Sequence, residues 1–216
     1  MIEFQVDDRT ISGYLAVPEH GSGPGVLVLH AWWGLTDVFK QVCDRLAREG
    51  FIAFAPDFYH GKSTTSIEEA EQLVSEQING EEISQVLTTS IDYLLNQPAR
   101  RGKASGAVGF SLGGNLALGL NDPVAAIVTF YGTTAPEEIV AHADILGHFA
   151  EDDDFEPSEQ VHQFEEDIRS SGRQVSFFLY PGTRHWFFEE KRPEYDAEAA
   201  QLSWKRTIEF LHQRLD

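Results

Sequence analysis

Cysteine is nearly absent from this 216-residue chain: Cys43 is the only one. No disulfide can therefore close within the chain, which fits a reducing compartment. Cations are also scarce. Sixteen Lys and Arg stand against 35 Asp and Glu, for a formal charge of −19. A surface this acidic repels phosphate backbones and anionic lipid, so nucleic-acid and membrane-surface partners are excluded as expectations. It also steers anionic substrates poorly unless a local cationic pocket overrides the field. No apolar run approaches the roughly 18 residues that a spanning helix requires. The start of the chain, Met1 to Thr10, has no basic stretch followed by an apolar one, so no secretory leader is expected and a cytoplasmic location is. No internal repeat and no low-complexity linker interrupts the chain. Residues 1–216 are accordingly expected to form one domain, a length that suits a sizeable core.

What the chain does contain is an alternation of short β-rich runs and helical patterns. Ile11 to Pro18 alternates as a half-buried strand does. Gly25 to His30, Phe51 to Ala55, Ala107 to Phe110, Ala125 to Tyr131, Ile145 to Ala150 and Val175 to Tyr180 are short apolar runs suited to buried strands. Between them lie helical spacings: Val38, Val42 and Leu46; Ile83, Leu87, Ile91 and Leu94; Val161, Phe164 and Ile168; and a last series from Ala197 to Leu215. Ser66-Ile67-Glu68-Glu69 is a capping-box pattern and starts another helix, which Asn79-Gly80 breaks. Strands alternating with helices predict an α/β fold with a mostly parallel sheet covered on both faces. In such sheets the functional side chains follow the carboxyl ends of strands.

Ser111 lies there. Gly109-Phe110-Ser111-Leu112-Gly113 matches G-x-S-x-G between a strand and a helical stretch, where small neighbours allow the sharp turn that presents a nucleophile. The competing reading is an inert serine in a tight turn. A serine hydroxyl needs a base. Of eight histidines, His185 follows the last strand, in a loop rich in turn formers, and comes after the serine in chain order. It could instead only pack against Trp186 and Phe187. His30 also ends a strand but precedes the serine, which makes it a structural residue. The acid should follow a strand between Ser111 and His185, and Glu151-Asp152-Asp153-Asp154 does; position alone leaves the four open. The run lacks the spacing of a calcium loop, and no metal is expected. Oxyanion donors should be the Leu112 amide and one from Ala31, Trp32 or Trp33.

Taken in order, His30 to Asp37 (HAWWGLTD), Ala55 to Gly61 (APDFYHG), Gly109 to Gly114 (GFSLGG), Phe130 to Gly132 (FYG), Gly147 to Pro157 (GHFAEDDDFEP) and Tyr180 to Glu189 (YPGTRHWFFE) resemble the dienelactone hydrolase family of α/β-hydrolases. The resemblance runs from about Ile11 to the C-terminus. It implies an eight-stranded hydrolase core without a large cap domain. In the family's acid loop the catalytic aspartate lies four residues before the proline, which selects Asp153 through Pro157; the second oxyanion amide carries over to Trp32. The chain departs from the family at the nucleophile, Ser111 where a cysteine is usual, and at Ala31, where a glutamate contacts the resting thiol. It departs again at Glu189, which takes the place of an arginine that binds the substrate carboxylate, and no arginine occurs between Arg48 and Arg100, where the other would fall.

The expected activity is hydrolysis of small esters or lactones by Ser111, His185 and Asp153, with no cofactor, in a monomer or homodimer. Trp33, Phe58, Tyr59, Tyr131 and Trp186, with Phe187 and Phe188, fall near the expected site and suit an apolar substrate group, or else serve as core packing. Arg184 and Lys62 are the nearest cations to a substrate anion. Thioester or amide hydrolysis shares the chemistry. A silent binding protein on the same fold is the alternative from another class, and a metal-binding module at Glu151 to Asp154 a third.

Overall fold

In a computed structural model, which describes residues 1–6, 9–102 and 104–216, the chain alternates as its hydrophobic pattern predicts. Strands are β1 (Ile2–Val6), β2 (Arg9–Ala16), β3 (Gly25–Leu29), β4 (Ile52–Pro56), β5 (Ser105–Phe110), β6 (Val124–Phe130), β7 (Asp144–Asp152) and β8 (Val175–Arg184). Helices are α1 (Asp37–Arg48), α2 (Ile67–Gln77), α3 (Gly80–Leu95), α4 (Leu112–Leu118), α5 (Ser158–Ser170) and α6 (Ala197–Leu215). The strands form one sheet in the order β1-β2-β4-β3-β5-β6-β7-β8. Pairs from β4 to β8 are parallel, while β1 and β2 run antiparallel.

The pleat sends alternate side chains to opposite faces, and two cores result. Val26 and Val28 of β3 join Val108 of β5 and Val128 of β6 beneath α1 and α6. Leu27 and Leu29 join Ala107 and Ile127 on the other face, beneath α3, α4 and α5. This is the three-layer α/β-hydrolase architecture. Within it the chain leaves β3 for β4 on one side and β5 on the other, so the order reverses between the ends of β3 and β5. Such a reversal opens a crevice at the strands' carboxyl ends.

Two elements differ from the sequence expectation. Ile2–Val6 is a strand: Phe4 faces inward, 5.8 Å from the Phe54 ring and stacked 4.4 Å from Tyr93. The alternation of Ile2, Phe4 and Val6 carries that signal, but five residues become a strand only where β2 offers a partner. At the other edge β8 does not stop at Tyr180. It continues through Pro181 and Gly182 to Arg184, which pairs with Asp152. An edge strand tolerates proline because its outward N–H needs no partner. Asn79 and Gly80 do interrupt the helical stretch, and they also begin α3, with Asn79 Oδ1 accepting from the Glu81 amide at 3.1 Å.

His30 and His148 are fully buried. His30 Nε2 accepts the Phe58 amide at 3.2 Å, tying the end of β3 to the segment after β4. His148 bonds Tyr180 Oη at 2.8 Å and Thr207 Oγ1 at 3.1 Å, tying β7 to β8 and α6. Burial lowers both imidazoles from their usual 6.5, His30 to about 4 and His148 to about 3. The unfolded chain therefore takes up protons below pH 6.5 that these two folded-state imidazoles refuse, and the stability they contribute falls as pH falls. Thermal melting of the wild type and of His148→Gln across pH 7.5 to 4 isolates the His148 share: below about pH 6.5 the wild-type Tm should fall relative to that of the variant.

Candidate active site

Ser111 follows β5 directly and begins the turn into α4. Its backbone, at φ 51° and ψ −115°, lies in a region that a residue with a Cβ seldom enters. Such strain persists only where the surroundings over-determine it. Here the Ser111 amide donates to Phe130 O at 2.9 Å, and its carbonyl accepts from Gly114 at 2.7 Å and Asn115 at 3.0 Å. The glycines of the motif answer a steric demand. A Cβ at Gly109 would strike the backbone of Gly113, and one at Gly113 would strike the carbonyls of Leu29 and His30.

His185 follows β8 and Asp153 follows β7, and those parallel strands bring them together. His185 Nε2 lies 2.9 Å from Ser111 Oγ, and Nδ1 lies 2.7 Å from Asp153 Oδ2. An acceptor-only carboxylate requires the proton on Nδ1, which leaves the Nε2 lone pair to accept from the serine hydroxyl. The Asp153 side chain is wholly buried. Its other oxygen accepts the amides of Phe155 at 2.9 Å and Glu156 at 3.1 Å, so the loop fastens its own acid. Glu156 in turn accepts from Thr133, at 3.1 Å from its amide and 2.8 Å from its hydroxyl, which ties the loop to the end of β6. Burial raises the Glu156 carboxyl above its usual range.

The four acids of the run separate. Glu151 accepts from the Gly182 amide at 2.9 Å, Asp153 serves His185, and Asp152 and Asp154 are exposed. Among the described residues no group of three or more His, Cys, Asp or Glu gathers in a way that would hold a metal.

Beside His185 and Asp153 opens a crevice of about 550 Å³, which Ser111 itself does not line. Its walls carry the rings of Phe155 and Trp186, the acids Glu151, Asp152, Asp154 and Glu194, and one arginine, Arg184. Trp32 adds a half-buried ring, 5.8 Å from Phe155 and 5.9 Å from Trp186. Leu112 is the first residue of α4, so its amide has no acceptor within the helix. The Trp32 amide follows the neighbouring strand β3.

Several expected pocket residues sit elsewhere. Phe58 and Tyr59 are buried against His30, with ring centroids 4.5 and 5.2 Å away, and do not line the crevice. The bond from the Phe58 amide to His30 draws them into the core. Trp33 is also buried, and so is Tyr131, its ring 4.7 Å from that of His185. Lys62 pairs with Glu76 at 4.0 Å, away from the crevice. Glu189 does not face the crevice as a repelling charge. It is buried and accepts from Tyr131 Oη at 3.0 Å.

Two residues that motif reading does not single out belong to the site. Phe155, 52% exposed, lies 4.9 Å from the His185 ring; its place directly after the acid run was the available signal. Arg192 lies over the rings of Trp33 at 4.2 Å and Trp186 at 4.7 Å, and donates to Thr65 O at 3.2 Å. It thereby braces the loops that follow β3 and β8, and nothing in its sequence spacing announces this.

Strand, strained turn and helix around Ser111, at the reversal point of such a sheet, belong to the α/β-hydrolase class of proteins. Comparison with known proteins narrows the class. The model of the dienelactone hydrolase family matches residues 11–215. The protein usf of Aquifex pyrophilus is 34% identical, over 100% of this chain and 98% of its own length. A candidate carboxymethylenebutenolidase of Aquifex aeolicus (strain VF5) is 32% identical, over 97% of this chain and 96% of its own. The crystal structure of a candidate dienelactone hydrolase from Klebsiella pneumoniae superposes with a TM-score of 0.85 at 22% identity, covering 96% of this chain and 95% of the other. The chain belongs to the dienelactone hydrolase family, and by that membership it is a carboxylic-ester hydrolase.

The steric reading of the turn is testable. Gly113→Ala should cost about 1–3 kcal/mol by overpacking, because only backbone can give way. Gly80→Ala, with open space around it at the start of α3, should be neutral or stabilising. Urea unfolding of both variants makes the comparison; equal midpoints would refute it.

Proposed function

We propose that this hydrolase cleaves small neutral esters or lactones through an acyl-enzyme on Ser111. The observation that carries the reading is the unbroken hydrogen-bond chain Ser111–His185–Asp153, whose base and acid line the crevice. His185 Nε2 takes the hydroxyl proton as Ser111 Oγ bonds to the substrate carbonyl carbon. Asp153 holds the imidazole tautomer and stabilises the imidazolium. The amides of Leu112 and Trp32 receive the oxyanion. His185 then returns the proton to the departing alkoxide, which in a lactone stays tethered to the acyl group. Water deprotonated by the same imidazole attacks the acyl-enzyme, releases the acid and restores the serine.

The substrate class follows from charge. Glu189 replaces the arginine that the family uses for a substrate carboxylate, and Arg184 stands alone among the acids of the crevice wall. A carboxylate brought there without a partner loses solvation that nothing replaces. The names carried by the relatives bring lactones into the class beside linear esters.

Ser111→Ala should remove turnover of p-nitrophenyl esters by several orders of magnitude and leave a native circular dichroism spectrum, with a small residue of activity from binding and oxyanion stabilisation. A folded variant of near-native activity would rule the serine out. Asp153→Asn should lower kcat by about 10⁴, the loss found where a triad acid is isolated, whereas Asp152→Asn and Asp154→Asn should have small effects. Equal losses at all three would break the assignment.

For substrate charge the measurement is a matched pair of esters, one neutral and one with a carboxylate at the same distance from the scissile bond. The neutral partner should have the higher kcat/KM, with the gap narrowing as salt is raised. A preference for the anion, lost in Arg184→Ala, would restore the family's substrate class.

A further inference from the structure

We infer that Glu189 is a positioning residue: its carboxyl holds the Tyr131 ring behind the His185 imidazole and so keeps that base aligned on Ser111. The inference rests on the reading of His185 as the base.

Two hydrogen bonds, one at each ring nitrogen, place the imidazole edge-on but resist its tilting weakly, because a bond of this length bends at little cost. The faces of the ring need walls. Phe155 supplies one, at 4.9 Å, but it is half exposed. Tyr131 supplies another at 4.7 Å and is wholly buried. Its backbone is strained, at φ 42°, in the left-handed region that a bulky residue avoids. Something must hold it. The backbone tie is the Tyr131 amide to His148 O at 2.8 Å, and the side-chain tie is the hydroxyl donating to Glu189 Oε1 at 3.0 Å.

Glu189 can reach that hydroxyl because the chain turns sharply after the base. The Glu189 amide donates to Trp186 O at 2.9 Å, and the Glu189 carbonyl accepts from Arg192 at 2.8 Å. The carboxyl thus returns beneath the histidine four residues earlier. Around it stand Tyr131 from the end of β6, Trp33 from the loop after β3, and Arg192 and Glu194 from its own segment; Asp153 faces Tyr131 and not Glu189. Burial pushes the carboxyl up to about 8, so near pH 7 it is the neutral form whose oxygen accepts the hydrogen bond from the tyrosine hydroxyl. A neutral acceptor anchors the ring without adding a second negative charge behind the imidazolium.

The test compares Glu189→Leu, Glu189→Gln and the double variant Glu189→Leu/Tyr131→Phe on a small neutral ester. Loss of alignment should lower kcat roughly tenfold or more in the leucine and double variants, with KM within about twofold, since small displacements of catalytic groups are expensive. Glutamine keeps an acceptor for the tyrosine and should restore most of the kcat lost with leucine. The double variant removes the carboxyl and the hydroxyl together, so no tyrosine hydroxyl is left unpaired, and it tests the tie apart from that cost. If a leucine variant does not fold, Tyr131→Phe alone carries the test, because it deletes the bond and keeps the ring; its kcat should fall.

Wild-type kcat in the double variant or in Tyr131→Phe, an equal loss with glutamine and leucine, or a loss confined to KM would each overturn the inference. Ser111→Ala, assayed alongside, separates the two readings. Activity in that variant sinks the nucleophile assignment, whereas its silence beside an unaffected double variant sinks only the role of Glu189.

Discussion

Asp153 presents a carboxylate with no exposed side-chain surface, and the other parts of the site are arranged around it. A buried carboxylate is tolerable only when donors surround it. The Nδ1–H of His185 and the amides of Phe155 and Glu156 are those donors. To supply them, β7 and β8 must end side by side, the acid loop must curl back on its own side chain, and the imidazole must carry its proton on Nδ1. That tautomer leaves Nε2 free to accept from Ser111. One electrostatic demand thus sets strand register, loop shape and the protonation pattern on which the chemistry depends.

Around this polar chain the walls are aromatic and the rim is acidic. Trp32, Phe155 and Trp186 pack edge to face or in tilted stacks, with Arg192 over the indoles of Trp33 and Trp186. Such packing leaves the His185 side chain only 6% exposed, and a hydrogen bond in so little water is stronger than one in solvent. The acids at the rim extend the chain's overall charge of −19 to the edge of the site. The aromatic wall and the acidic rim are the features on which the proposed preference for neutral substrates rests.

The layers of the fold were legible because burial on both faces of a parallel strand leaves a plain apolar run, as in Gly25 to Leu29 and Ala107 to Phe110. Edges were less legible. Ile2–Val6 and the end of β8 owe their strand conformation to a neighbouring strand and not to composition. Rings were the least legible. Tryptophan, phenylalanine and tyrosine suit a pocket and a core equally well, so Phe58 and Tyr59 could be placed only by knowing that His30 draws them inward.

By itself the sequence determined the class of chemistry. A serine between glycines at a strand-to-helix turn, with a histidine and an acid after later strands, is a local pattern, and local patterns survive in one dimension. It also determined what the chain lacks, an arginine at position 189 and any arginine between Arg48 and Arg100. Only the tertiary structure decided which of four adjacent acids bonds the histidine by geometry, where Glu189 points, and that Arg192 braces two loops far apart in the chain. These depend on distances between segments separated by 32, 58 and 127 residues. Such distances are set by sheet order and packing, and no local spacing encodes them.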